Sequence, residues 1–236
     1  MPLPELPYRL TLADFDRDGI LQDTLARSGG MTRAEFLRVG ALGTGALLLT
    51  LGATPAAAQL PSGDFDILNF DLAWEYLQAS FYTEAEELGT VDRMDPPMAR
   101  WARTFGAHER AHVRILKSVL GPQAVKKPRF DFHGTTENID AFTKTVVAFE
   151  ELTTALLLGQ ASRLEERGLV AALFSLLTVE ARHVAWVRHQ LGINPPVISA
   201  FDDPKSMADA DGLIASTNFT AKPLRTIAKG APRFTG

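Results

Sequence analysis

Cysteine is absent from this 236-residue chain. That one absence removes disulfides, thiolate metal sites, iron–sulfur clusters and lipoprotein acylation together. Any metal must then be held by carboxylates and imidazoles, the donors that suit iron, manganese or zinc. An excess of positive charge is lacking too: 24 Lys and Arg stand against 28 Asp and Glu, a net charge of -4 and a pI near 5.8. Such a balance gives no basis for nucleic-acid or anionic-membrane binding. The third absence is local, since no residue from Val39 to Ser62 is charged. The rest is ordinary for a soluble globular protein, with 46% hydrophobic and 22% charged residues. The length suits one well-buried domain with extensions, or two small ones.

The uncharged run gives residues 31–58 the layout of an export signal. Arg33 and Arg38 precede the apolar Val39–Leu51 stretch, and Ala56-Ala57-Ala58 offers a small-residue cleavage site. Thr32-Arg33-Ala34-Glu35-Phe36-Leu37-Arg38 resembles the twin-arginine motif, but Ala34 stands where the second Arg belongs. Twin-arginine export and general secretion therefore both stay open. The competing reading is an uncleaved anchor touching the membrane through residues 39–58, because about 20 residues span a bilayer; a buried helix is the third. Cleavage after Ala58 and residence in the periplasm or cell envelope are expected. Residues 1–30 read as a polar leader, with Met1 and Met31 both open as the start. Within it, Asp14-Phe15-Asp16-Arg17-Asp18-Gly19 imitates a calcium loop, yet Leu25 occupies the twelfth position, where a bidentate Glu is needed. A polar loop leading into a short helix is the plainer reading.

Beyond the leader the chain predicts four long helices. Apolar residues recur with a period near 3.6 over 64–88, with Gly89 as a stop. Asp95-Pro96 starts a second helix that runs to the Gly121-Pro122 break. Residues 122–137 form one long crossover, and the third helix spans about 139–166, ended by Gly168. The fourth covers 169–191 and is stopped by Gly192 and Pro195-Pro196. This is an all-α fold of two αα-hairpins, a four-helix bundle over 64–192. Residues 193–236 read as an irregular tail laid over it, with a short helix near 205–215.

Each hairpin carries a solitary Glu on its first helix and Glu-x-x-His on its second: Glu75 with Glu109-Arg110-Ala111-His112, and Glu150 with Glu180-Ala181-Arg182-His183. Residues i and i+3 share a helix face, so each pair can grip one ion. Glu, Glu-x-x-His, Glu, Glu-x-x-His from four helices is the set with which carboxylate bundles hold two metals, bridged by carboxylates. With 13 glutamates and five histidines in 236 residues, chance yields two such pairs only about 3% of the time. Charge points the same way. Four ionised carboxylates in a bundle core would cost several kcal/mol each, whereas two divalent cations would bring +4 against -4. Without metal they would take up protons as a coupled cluster.

Other candidates are weaker. Glu151 neighbours Glu150 but points about 100° away; it reads as solvated, with the ligand role open between the two. Tyr82, seven residues after Glu75 on the same face, is either a core tyrosine with a satisfied hydroxyl or a proton or electron donor near the metals. Glu86 lines an access path or lies on the surface. His108, His133 and His189 lack partners at ligand spacing and read as structural or exposed. Arg182 is a candidate partner for a ligand carboxylate.

At these residues the chain resembles the exported ferritin-like domain proteins of bacteria, which are similar to plant and fungal desiccation-related proteins. The likeness covers roughly 64–200. It is carried by Ile67–Tyr82, Glu109-Arg110-Ala111-His112, Phe130-Asp131-Phe132, Ala148-Phe149-Glu150 with Gly159, and Glu180–Val187. It implies a ferritin-like four-helix bundle with Glu75, Glu109, His112, Glu150, Glu180 and His183 as ligands, and puts Glu150 rather than Glu151 at the motif position. Leu157 departs from relatives that carry a Tyr there. The acidic residue that directly precedes each Glu-x-x-His in oxygen-activating di-iron oxidases is missing too: His108 and Val179 stand in its place. That argues against a hydroxylase.

The leading reading is an exported four-helix protein with a di-iron or di-manganese centre. It would act on peroxide, dioxygen or ferrous iron in stress protection, as a ferroxidase or a peroxidase or catalase, with no catalytic residue beyond the ligands except Tyr82. Its partners would be the metal ions and a small oxidant, with no nucleic acid; a homo-oligomer is left open. The alternative is a non-catalytic desiccation or stress scaffold or metal buffer. A third reading is a partner-binding envelope protein whose site holds no metal.

Overall fold

The computed structural model describes residues 60–197 and 199–228. The polar leader 1–30, its calcium-loop look-alike and the export or anchor segment 31–58 lie outside the described residues. So does the end of the tail after Ala228.

Four long helices form the body: α1 (Ser62–Glu87), α2 (Pro96–Leu120), α3 (Ile139–Ala161) and α4 (Arg167–Gln190). α1 packs along α2 and α3 along α4, giving two hairpins. α1 also meets α3, and α2 meets α4, which closes the bundle. Among the described residues the sole β feature is an isolated bridge between Phe130 and Thr220. The fold is the expected all-α bundle.

Local chemistry accounts for where the helices begin. Asp95 accepts the Met98 N–H at 3.0 Å, and prolines fill the first turn of α2, where no amide partner is needed. Asn138 caps α3 in the same way through the Ala141 N–H at 2.9 Å. Every residue of α1 from Ile67 to Tyr82 is buried, as its apolar residues on all sides require.

One boundary differs from the sequence reading. α3 ends at Ala161, not near Glu166, and Gly168 lies in the first turn of α4. The cause is a contact across the fold: buried Asp64, near the start of α1, accepts the backbone N–H groups of Glu165 (2.8 Å) and Glu166 (2.9 Å). Those amides are thereby drawn out of any helix, and the Glu166 carboxylate caps α4 through the Gly168 N–H.

The crossover is packed rather than loose. Phe132 is buried and meets Phe81 of α1 edge to face, with ring centroids 5.1 Å apart, and Phe219 of the tail at 5.4 Å. The tail is more regular than expected. It forms α5 (Met207–Ala215), within the predicted 205–215, and a further short helix α6 (Leu224–Ala228). α5 packs on α3 and α6 on α1. Ahead of α5 the Lys205 N–H donates to the Ala155 carbonyl at 2.8 Å. The Lys205 carbonyl lies so close to Gly159 that a Cβ there would sit 2.1 Å from it. Only glycine lets the strap seat on α3.

Candidate metal centre

Glu75 from α1, Glu109 and His112 from α2, Glu150 from α3, and Glu180 and His183 from α4 converge inside the bundle. They form two overlapping donor sets: Glu75, Glu109, His112 and Glu180, and Glu109, Glu150, Glu180 and His183. Within each set one donor atom per residue lies within 4.8 Å of all the others. Five of the six residues are buried; His112 is partly exposed.

The oxygens divide in an ordered way. His112 Nδ1 is 3.4 Å from Glu75 Oε2, 3.4 Å from Glu109 Oε2 and 3.1 Å from Glu180 Oε1. His183 Nδ1 is 3.5 Å from Glu109 Oε1, 3.1 Å from Glu150 Oε2 and 3.3 Å from Glu180 Oε2. Glu109 and Glu180 each turn one oxygen to each imidazole, while Glu75 and Glu150 each serve one.

Surrounding contacts hold this register. Trp74 Nε1 donates to Thr153 Oγ1 at 2.7 Å, and that hydroxyl lies 2.7 Å from Gln78 Oε1, tying α1 to α3 one turn from the donors. Tyr82 Oη donates to Glu150 Oε1 at 2.5 Å. A Cβ on Gly106 would meet Tyr82 Cβ and Glu86 Oε1, each at 2.8 Å, so glycine allows α2 its close approach to α1 here. Phe105 stacks on His183 with centroids 3.8 Å apart.

Protonation reports the strain of crowding these groups together. Burial, then the charges of Glu180 and Glu75, push Glu109 well above the usual carboxylate range. Burial likewise lifts Glu150, which His183 only partly offsets, to about 7. Although burial opposes it, the imidazoles of His112 and His183, 3.1 and 3.3 Å from its oxygens, hold Glu180 well below its usual value. Burial also disfavours both imidazolium forms. The carboxylates outweigh it, keeping His112 well above the ordinary histidine range and His183 at about 9.

The donor set fits a bound cation. Glu75 Oε2, both oxygens of Glu109 and of Glu180, and His112 Nδ1 are buried with no hydrogen-bond partner, despite their approaches of 3.1–3.5 Å. These atoms aim at common points rather than pairing with one another. Orphaned buried carboxylate oxygens are costly, and a cation between them would satisfy all at once. Oxygen and imidazole donors select a hard or borderline divalent ion.

The remaining candidates separate cleanly. Glu151 is exposed and paired with Arg188 at 2.8 Å, outside the cluster. Glu86 is partly buried and paired with Arg110 at 3.2 Å. Arg182 is exposed and makes no hydrogen bond or ion pair with any cluster carboxylate, which corrects its expected role as a ligand partner. His189 is exposed, and His133 Nε2 lies 3.2 Å from the Asn218 carbonyl. His108 is the residue sequence reasoning missed. Its Nδ1 sits 2.9 Å from His183 Nε2. Burial, then His183 and His112, push it below the ordinary histidine range. The signal available was its place directly before Glu109. A second unforeseen group is Asp71, one turn before Glu75: its Oδ1 is buried without a partner, and burial and Glu75 raise its carboxyl well above the usual range.

Four helices that deliver four glutamates and two histidines to one buried cluster define the carboxylate–histidine bundle class. The chain belongs to the ferritin-like domain family, whose defining pattern matches residues 63–193, more than half of its length. No curated protein and no solved structure matches it.

Proposed function

We propose that the bundle holds two redox-active divalent ions, iron or manganese, and uses them on peroxide, dioxygen or ferrous iron in stress protection. One observation carries this reading: Glu109 and Glu180 each present one oxygen to each of two histidine-centred donor sets. In this reading Glu109 and Glu180 would be shared between the two ions, with Glu75 and His112 holding one and Glu150 and His183 the other. Paired ions of this kind supply one-electron steps that together exchange two electrons with a small oxidant. The chain's own part is to fix the donors, to exclude bulk water through Phe105 and the α1 core, and to neutralise charge with four carboxylates. Tyr82 orients Glu150 by fixing its Oε1.

A cleft of about 890 Å³ on the outer side of α3 and α4 contains none of the six donors. A buried centre apart from that cleft suits a small diffusible oxidant. The same feature favours the second reading, a metal-buffering or stabilising scaffold without turnover.

Elemental analysis of the purified full chain after reconstitution with Fe(II) or Mn(II) tests the centre. Close to two ions per chain are expected; a value near zero with both metals ends the dinuclear reading. Peroxide turnover and ferrous oxidation, in wild type and Glu109→Ala, then separate enzyme from scaffold. Equal background rates favour the scaffold.

Export to the cell envelope is the second element of the proposal, supported by the uncharged Val39–Ser62 run, Arg33 and Arg38, and Ala56–Ala58. N-terminal sequencing of protein from fractionated cells should find Gln59. An intact chain in the membrane fraction would instead identify an anchor.

A further inference from the structure

We infer that His108 is a positioning residue: it accepts the Nε2–H of His183 and makes the Glu150–His183 site bind its ion more tightly than the Glu75–His112 site. The inference rests on the dinuclear reading above.

An imidazole that ligates through Nδ1 must carry its proton on Nε2, and whatever accepts that proton fixes both the tautomer and the ring. His183 turns Nδ1 to the carboxylates and Nε2 to His108 Nδ1, 2.9 Å away. The two rings are within 10° of parallel, yet their centroids are 5.2 Å apart. With a nitrogen–nitrogen separation of 2.9 Å they therefore meet edge to edge, and the N–H points along the lone pair of its acceptor. Phe105, stacked on a face of the His183 ring with centroids 3.8 Å apart, limits rotation.

The other site has no such support. Among the described residues no hydrogen bond reaches His112 Nε2, and the His112 side chain is 12% exposed against 3% for His183. In the internal repeat the position of His108 falls to Val179, directly before the second Glu-x-x-His, and valine has no polar side-chain atom. The solitary glutamates repeat the contrast. Glu150 is held by Tyr82 at 2.5 Å, whereas no side chain donates a hydrogen bond to Glu75, whose Oε2 is buried without a partner. The donors of the two sites are alike, one solitary Glu and one His sharing Glu109 and Glu180, so the difference lies in what holds those donors. Such outer partners are worth roughly 10–100-fold in metal affinity.

Stepwise titration of the metal-free full chain with Mn(II), following free aqueous Mn(II) by electron paramagnetic resonance, tests this. Wild type should bind two ions in two separated steps. His108→Leu should weaken the tighter step by about 10–100-fold and leave the weaker step in place. His108→Asn should restore the separation, because its Oδ1 replaces Nδ1 as acceptor. Helical content and melting temperature of each metal-free variant show that it is folded, and His108→Ala serves if the leucine variant is not. Two equal steps in wild type, or equal weakening of both steps in His108→Leu, overturn the inference while leaving the dinuclear centre standing. Absence of any Mn(II) or Fe(II) binding by wild type overturns the centre itself, and the inference with it.

Discussion

Tyr82 Oη donates to Glu150 Oε1 at 2.5 Å, joining α1 to α3 through a carboxylate of the buried cluster. The tyrosine is wholly buried, and burial, then the charge of Glu150, holds its phenol well above the usual range, so it stays a donor at any working pH. Tyr82→Phe removes that donor and leaves a buried carboxylate oxygen without a partner, a cost of about 1–3 kcal/mol. It also frees Glu150 to rotate. Thermal melting should fall by the corresponding few degrees, and affinity at the tighter Mn(II) step should drop by about tenfold. An unchanged titration with a lowered melting point would make Tyr82 a core residue only.

Bridging and terminal glutamates are expected to differ in stoichiometry. Glu109 and Glu180 face both imidazoles, Glu75 and Glu150 one each. Glu109→Ala or Glu180→Ala should abolish binding of both ions. Glu75→Ala should remove the ion beside His112 and retain the one beside His183. Counting metal per chain after dialysis distinguishes none from one. One ion retained in Glu109→Ala would mean that Glu109 is terminal.

The helices and the six cluster residues were legible because period, caps and i, i+3 spacing are local properties of the chain. Asp95 before Pro96 announces a helix start without knowledge of anything distant, and it caps as expected. What sequence could not supply is whatever depends on residues far apart. Asp64 ends α3 early by binding amides about a hundred positions away. His108 contacts His183 across 75 residues, and its place directly before Glu109 is the one local sign that it is more than a helix-face histidine. Arg182 sits between two cluster residues in sequence, yet the helix turn carries it outward. The tail was legible only as the short helix near 205–215; the Ser206–Asp209 capping box that starts it and its seat on Gly159 are structural facts.

Gly159 allows one test of that seat. A Cβ there would stand 2.1 Å from the Lys205 carbonyl oxygen and 2.9 Å from its carbon, and a backbone obstacle cannot swing aside as a side chain can. In Gly159→Ala the strap must lift, breaking the Lys205 N–H to Ala155 carbonyl bond. Stability by urea unfolding should fall by about 1–3 kcal/mol, with faster proteolysis between Gly192 and Met207. Metal content should stay at the wild-type value, since among the described residues no hydrogen bond or ion pair joins a cluster residue to the strap.

Stability against pH should separate metal-free from metal-loaded protein. In the metal-free fold His183 is held at about 9 against an ordinary 6.5, and Glu150 at about 7 against 4.5. Both bind protons more tightly folded than unfolded. Their contribution is therefore fully present below the unfolded values and is lost as pH rises through about 7 and then about 9. Glu109 and His112 are shifted the same way. Glu180, held low, contributes above its unfolded value of 4.5, and that contribution is lost only in more acid solution, outside this window. Each excess proton held by the fold tilts stability by about 1.4 kcal/mol per pH unit. The melting temperature of metal-free protein should thus decline steadily from pH 5 to pH 9. Bound divalent ions require the same groups deprotonated, so metal affinity should rise over that interval and the loaded protein should lose little or gain. Calorimetric melts at several pH values, with and without Mn(II), read both curves; a metal-free curve that climbs toward pH 9 would show that the cluster does not hold these protons.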